Sequence, residues 1–202
     1  MLLYHVFKSL QSCDGVWFLT GKQNKLRSYQ LHDIVKKLGE NVCSLLPAVQ
    51  ALTGCDSTAT FCNKGKRSVF SLLSQKISDF KHLEHFGNAL TLEPNSTAFQ
   101  CAVKFVCLLY QKNCVEFDVT KVRLYLFYKK KLSGENIPPI LENLTFDFSQ
   151  AAYQTYIWRN ADKAILNLLE PFEPKAGKLM TKTSFNYVFP AKWLYLLKSA
   201  SL

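Results

Sequence analysis

The sequence predicts a mixed α/β fold, a few strands at the front followed by a mainly helical region. Three observations predict it. Short apolar, aromatic-rich runs, LLYHV and GVWFLT, open the chain. From Leu31 onward the apolar residues take helical spacing. Hydrophobic residues make up 48% of the 202 residues and aromatics 13%, enough to bury a core and to set wholesale disorder aside.

Taken in order, LLYHV reads as a buried strand that begins at the initiator methionine. GVWFLT reads as a second strand. KLRSYQL follows the turn-like GKQNK, so the two are expected to form a hairpin. In LHDIVKKLG, Leu31, Ile34, Val35 and Leu38 share one helical face, and Gly39 is a natural stop. NVCSLLPAVQALTG continues apolar, with a kink or break expected at Pro47. Ser68 to Gln75 reads as a helix. Thr97 to Gln111 and Val119 to Lys131 read as amphipathic helices, and the second ends in Lys129, Lys130 and Lys131, where cations suit a helix C-terminus. SGENIPPI is a linker, and Phe148 to Leu169 a long helix. The tail carries Pro171, Pro174, Gly177 and Pro190 and is expected to be irregular.

The formal net charge is +10, which favours a polyanionic partner, nucleic acid first and an acidic membrane surface second. The plain alternative is a basic protein kept soluble by its lysines. Seven cysteines occur without a CxxC pair, and several sit in apolar runs such as AFQCAVKFVCLLY, where a free thiol behaves as a small hydrophobe. No zinc spacing or disulfide framework follows, and a reducing, intracellular setting is expected. His82 and His85 lie close together in KHLEHF, but no cysteine pair stands at zinc spacing beside them. No apolar run approaches the roughly 20 residues of a membrane span, and MLLYHVFKSL is too short in its apolar part for a signal peptide. The triplets at Asn95 and Asn143 are read as chance.

The densest chemistry lies in Ala51 to Leu73, ALTGCDSTATFCNKGKRSVFSLL. A single acid, Asp56, precedes Lys64, Gly65, Lys66 and Arg67, which open a new apolar-periodic segment. Metal-dependent phosphodiester hydrolysis needs several carboxylates around one or two Mg²⁺ ions, so one acid alone is insufficient. Asp56 can be one ligand or simply a loop acid that caps the next segment. A glycine and cations at a helix start bring amides and positive charge to a phosphate. The alternative is a solvated helix start, although cations there oppose the helix dipole. Lys129 to Lys131 are a second possible DNA contact or a solvated helix end. Tyr153, Tyr156 and Trp158 are either a stacking platform or core rings. Cys55 has no histidine near it in sequence to act as its base.

GCD followed by a short spacer and NKGKRSVFSLL resembles the flap-endonuclease class of PIN-like nucleases. That resemblance implies that the GCD acid, Asp56, ligates Mg²⁺ or Mn²⁺, and that a helix–two-turn–helix turn, here Lys64 to Arg67, grips duplex backbone. The turn departs from the family's pattern because its first glycine is replaced in the Cys62, Asn63 region. A wider resemblance covers Met1 to about Arg159. WFLTGKQNKLRSYQLHDIVKKLGENVCSLLPAVQALTGCDSTATF, FVCLLYQKN, KVRLYLFYKKK and AAYQTYIWR stand in the order seen in PIN-like, asteroid-related proteins of animal mobile elements.

This resemblance implies the carboxyl-terminal half of a PIN-like domain. Residues 1–80 would hold the partial domain with its helix–two-turn–helix segment, 81–170 a helical region and 171–202 an irregular tail. The family's D-[TS]-D acidic pair lies just upstream of the strand that LLYHV matches, and the chain starts at Met1. Asp14 and Asp33 do not fall at the matching position. The acids that would share a metal with Asp56 are therefore expected to be missing, and with them catalysis. A poorly covered sheet edge is expected where the absent half would pack. The cysteine-rich ending common in the family is absent too. The sequence thus predicts a catalytically inactive nuclease homologue. A non-catalytic nucleic-acid-binding module and a protein-interaction domain stand beside it as alternatives. DNA and a protein partner are the expected contacts. Charge and ancestry point to the nucleus, with KKK the one import-like cluster.

Overall fold

The computed structural model describes residues 2–9, 15–22 and 25–163. Among them the protein is mainly helical, with one small antiparallel hairpin. Helix α1 (Leu2–Lys8) is followed by β1 (Trp17–Thr20) and β2 (Arg27–Gln30). Helices α2 (Leu31–Leu52) and α3 (Lys66–Gln75) lead into a 3₁₀ segment (Ile77–His85). Helices α4 (Thr97–Tyr110), α5 (Val119–Tyr128) and α6 (Leu141–Arg159) complete the described chain, with one 3₁₀ turn (Gly134–Asn136) before α6. No helix among the described residues is long and apolar enough to cross a membrane.

The hairpin forms as its sequence predicts, with Trp17 opposite Gln30 and Thr20 opposite Arg27. It is tied to α2 by Leu31 N–H donating to the Val16 carbonyl (2.9 Å) and Val16 N–H donating to His32 Nδ1 (3.0 Å). LLYHV is a correction: it is helix, not strand. Leu3 and Val6, three residues apart, are both buried, and His5 Nε2 donates to the Trp158 carbonyl (2.8 Å). A short apolar run fits either state, and packing against α2 and the end of α6 decides here. A mostly parallel sheet is not present among the described residues, whose two strands run antiparallel.

Gly39 interrupts α2 as expected of a stop, with φ 75 and ψ 166, but a helix resumes at once. The break falls there and not at Pro47, which lies buried within the resumed helix. Two helices have side-chain caps at their starts. Ser96 Oγ accepts from Phe99 N–H (3.2 Å) at the head of α4, and Asp118 Oδ1 accepts from Thr120 N–H (2.8 Å) at the head of α5. Helix α6 begins at Leu141, seven residues earlier than the sequence spacing indicates, and is described to Arg159. The rest of that expected helix and the tail from Glu170 lie outside the described residues.

The core is one apolar cluster that runs from Leu3 to Ala152. Its aromatic centre pairs Phe80 edge-on with Phe105 (5.3 Å between rings) and Phe99 with Phe148 (5.4 Å). Helix α6 lies hard against the turn after the 3₁₀ segment. At Gly87 (φ 75) a Cβ would come within 2.6 Å of Thr155 Cβ, so a glycine is required. Arg159 closes the same seam. Its guanidinium donates to the Glu84 carbonyl, to Asn88 Oδ1 (2.7 Å), and to the Ser44 and Leu83 carbonyls (3.3 Å each), and it lies 5.6 Å from the centre of the Tyr4 ring. One side chain thus joins α1, α2, the 3₁₀ segment and α6.

Candidate nucleic-acid interface

The loop between α2 and α3 is built from the end of α2 outward. Thr53 Oγ1 donates back to the Val49 carbonyl (2.7 Å). Gly54 follows at φ 93, where a Cβ would stand 2.1 Å from Thr60 Cγ2. A glycine alone lets the chain turn there. Thr58 Oγ1 donates to the Ala51 carbonyl (2.7 Å) and accepts from Cys55 N–H (3.1 Å), which fixes a tight Cys55–Thr58 turn. Cys55 Sγ lies 3.1 Å from Thr58 Oγ1 and 3.3 Å from Ser57 Oγ. Ser57 Oγ donates to Gln154 Oε1 on α6 (2.5 Å).

Asp56 stands on the outside of this turn, exposed, with no hydrogen bond or ion pair among the described residues. The oxygens and the thiol beside it are occupied with one another. Among the described residues no three His, Cys, Asp or Glu side chains come together. Mg²⁺ wants a near-ideal octahedron of oxygens and sheds water reluctantly. One exposed carboxylate beside a soft thiol and bonded hydroxyls does not fit such an ion.

The four basic-turn residues separate into different roles. Asn63 takes the left-handed conformation (φ 56), which asparagine tolerates, and turns the chain toward α3. Lys64 lays its ammonium 4.6 Å from the centre of the Tyr110 ring, and burial lowers its pKa. Gly65 is the extended N-cap of α3, with no side-chain cap and open space around a built Cβ. Arg67 is exposed on the first turn of α3.

Lys66 does not point outward. Its Nζ donates to Thr53 Oγ1 (2.7 Å), to the Gly54 carbonyl (2.7 Å) and to the Gln50 carbonyl (3.4 Å). A cation that would oppose the positive start of α3 instead sits on the negative end of α2. Burial pulls its pKa down to about 8, against a smaller upward pull from Cys55. Lys66 is therefore a brace for the GCD loop, its ammonium engaged by three protein acceptors.

Lys129, Lys130 and Lys131 are all exposed. Helix α5 ends at Tyr128, and Lys131 adopts φ 51 so that Leu132 N–H reaches the Leu126 carbonyl (3.2 Å). The segment that follows returns to the first basic turn, where Asn63 Nδ2 donates to Asn136 Oδ1 (2.8 Å). That bond joins two loops that are 73 residues apart in sequence. It links the Lys64 to Arg67 turn to the connection that begins at the lysine run.

Tyr153, Tyr156 and Trp158 are each partly covered on α6, and Trp158 packs against the core. The rings the sequence reading missed are on α5. Tyr125, Phe127 and Tyr128 are exposed, as is Leu124. The signal was present in VTKVRLYLFY. Apolar residues occur all round that helix, whereas one stripe suffices to face a core. Only Val119, Val122 and Leu126 are buried. No family model, no curated protein and no solved structure matches the chain.

Proposed function

We propose that this chain is a PIN-like, mobile-element-derived nuclease homologue that works as a non-catalytic nucleic-acid-binding module. The observation that carries the reading is the joining of two basic segments through Asn63 and Asn136, with the exposed cations Arg67 and Lys129 to Lys131 on the connected loops. The start of α3 (Lys66–Gln75) presents the positive end of its helix dipole at this turn, which favours a phosphate there. The Arg67 guanidinium, one residue on, offers a fork suited to two phosphate oxygens. Lys66 keeps the GCD loop and α3 in register while Arg67 makes the contact. The formal charge of +10 supplies the longer-range attraction.

The non-catalytic half of the proposal rests on the donor set at Asp56, which does not fit a hard divalent cation. The ancestry half rests on the ordered resemblance of four segments to PIN-like proteins. The test is binding of a labelled duplex, followed as salt is raised, with Arg67→Glu as the diagnostic variant. Affinity should fall with salt and drop further in the variant. An absence of binding at low ionic strength would overturn the binding reading. Mg²⁺- or Mn²⁺-dependent cleavage that disappears in Asp56→Asn would overturn the non-catalytic reading. A protein-interaction domain is the second reading, favoured by the uncovered apolar residues of α5. A stable complex that survives nuclease treatment would support it.

A further inference from the structure

Helix α5 has ten residues, and its core contacts use Val119, Val122 and Leu126. The remaining surface carries three rings. Tyr125 is 40% exposed, Phe127 53% and Tyr128 69%. Phe127 and Tyr128 stand edge to face, 5.2 Å apart, so neighbouring rings hold each other without covering their outer faces. Immediately after them come Lys129, Lys130 and Lys131, all exposed. Lys121, one turn before Tyr125, is held by Glu116 (2.5 Å), so the free cations lie at one end of the row of rings.

We propose that the outer face of α5 is a stacking platform for unpaired bases of a single-stranded nucleic acid. Tyr128 and Phe127 would meet base faces, and Lys129 to Lys131 would hold the phosphates. The chemistry requires rings exposed beside cations, and this helix end supplies both. A protein partner fits less well, because interface cores are depleted in lysine whereas three lysines adjoin these rings. An acidic membrane surface also fits less well. The opposite end of the helix carries Glu116 and Asp118, which an anionic headgroup layer would repel. The inference rests on the reading above for a nucleic-acid partner and shares its Lys129 to Lys131, but it adds the rings of α5 and a different contact, base stacking.

The test uses the full chain and a labelled oligothymidylate, which has no duplex to offer. Binding at low salt should weaken about fivefold or more in Tyr128→Ala, the lower range for losing one stacking ring. Tyr128→Phe keeps the ring and should bind like the parent. Tyr128 is exposed, so the fold should survive in both variants, and circular dichroism checks that it does. Reversal of Lys130 to Glu should weaken binding and flatten its salt dependence. Arg67→Glu should leave oligothymidylate binding nearly unchanged while weakening duplex binding. Loss of duplex binding alone would therefore count against the proposed function and not against this platform. The platform is overturned if oligothymidylate does not bind at low salt. It is equally overturned if Tyr128→Ala binds as well as the parent, or if that variant loses phosphatidylserine-vesicle binding and keeps oligothymidylate binding.

Discussion

Lys66 shows how a residue of one chemical type can face either of two partners. At the start of α3 its charge is unfavourable, yet its Nζ reaches three acceptors at the end of α2. Lys66→Met keeps the stem and removes the donors. It should cost about 1–3 kcal/mol of stability, the usual range for hydrogen bonds lost from partly buried partners. The denaturant midpoint of the variant measures this, and an unchanged midpoint would mean the brace contributes nothing. Arg159 is the sharper case, since its guanidinium serves four acceptors, on α2, on the 3₁₀ segment and on the turn after it. An ammonium has no planar fork, so Arg159→Lys should still destabilise by about 1–3 kcal/mol. Thermal unfolding of that variant beside Arg159→Ala, which should lose more, checks the argument. Gly54 and Gly65 divide in the same manner. At Gly54 a Cβ collides with Thr60, whereas at Gly65 it meets open space. Gly54→Ala should unfold the GCD loop's anchorage at a cost of ~2 kcal/mol or more. Gly65→Ser should be neutral or slightly stabilising, because serine is a good N-cap. A comparison of the two melting curves decides it, and equal curves would refute the steric reading of Gly54.

At the scale of elements, the sequence was legible wherever one period persisted. The hairpin, α3, α4 and α5 lie within a few residues of their expected positions because each has a consistent apolar pattern and, for α4 and α5, a capping side chain. LLYHV was not legible. Four apolar or aromatic residues and a histidine carry no period of their own, and contacts with Trp158 and α2, more than a hundred residues away in the first case, settle its state. Gly39 and Pro47 illustrate the same limit in another form. Both are breakers by local rule, but only Gly39 takes a backbone angle that a helix excludes. Pro47 loses one amide hydrogen bond and lies buried within the resumed helix. The site was legible as a list of residue types and not as a set of directions. Nothing in KGKR tells that Lys66 turns back onto α2, because the acceptors belong to carbonyls of another helix. The Asn63–Asn136 bond was hidden for the same reason, as two asparagines distant in sequence give no pattern.

At the scale of the whole molecule, the core carries titratable groups that set how stability responds to alkali. Burial raises the Cys43 and Cys101 thiols from 9.0 to about 11 and Cys107 to about 12, with the neighbouring Cys114 adding to the last. Burial likewise raises Tyr110 to about 12. Each of these groups stays protonated in the folded protein at a pH where the unfolded chain gives up its proton. Their contribution is fully present below pH 9.0 and is lost as pH rises through about 11. Lys66 works in the opposite sense. Its folded pKa, about 8, lies below the unfolded value of 10.5, so the unfolded chain holds more protons between those values and raising pH across them favours folding. From pH 8 to 9 Lys66, with Lys64 acting in the same sense, sets the response, and stability should hold or rise slightly. Above pH 9.0 the raised thiols of Cys43, Cys101, Cys107 and Cys114 oppose the lowered amines of Lys64 and Lys66, and stability should fall toward pH 11. Urea midpoints measured under reducing conditions across this range should therefore show a plateau followed by a decline. Cys43→Ala removes one titrating thiol and should make the decline shallower, while Lys66→Met should remove any rise before it. A decline already under way at pH 8, or one equally steep in Cys43→Ala, would show that groups outside the core govern the alkaline limit.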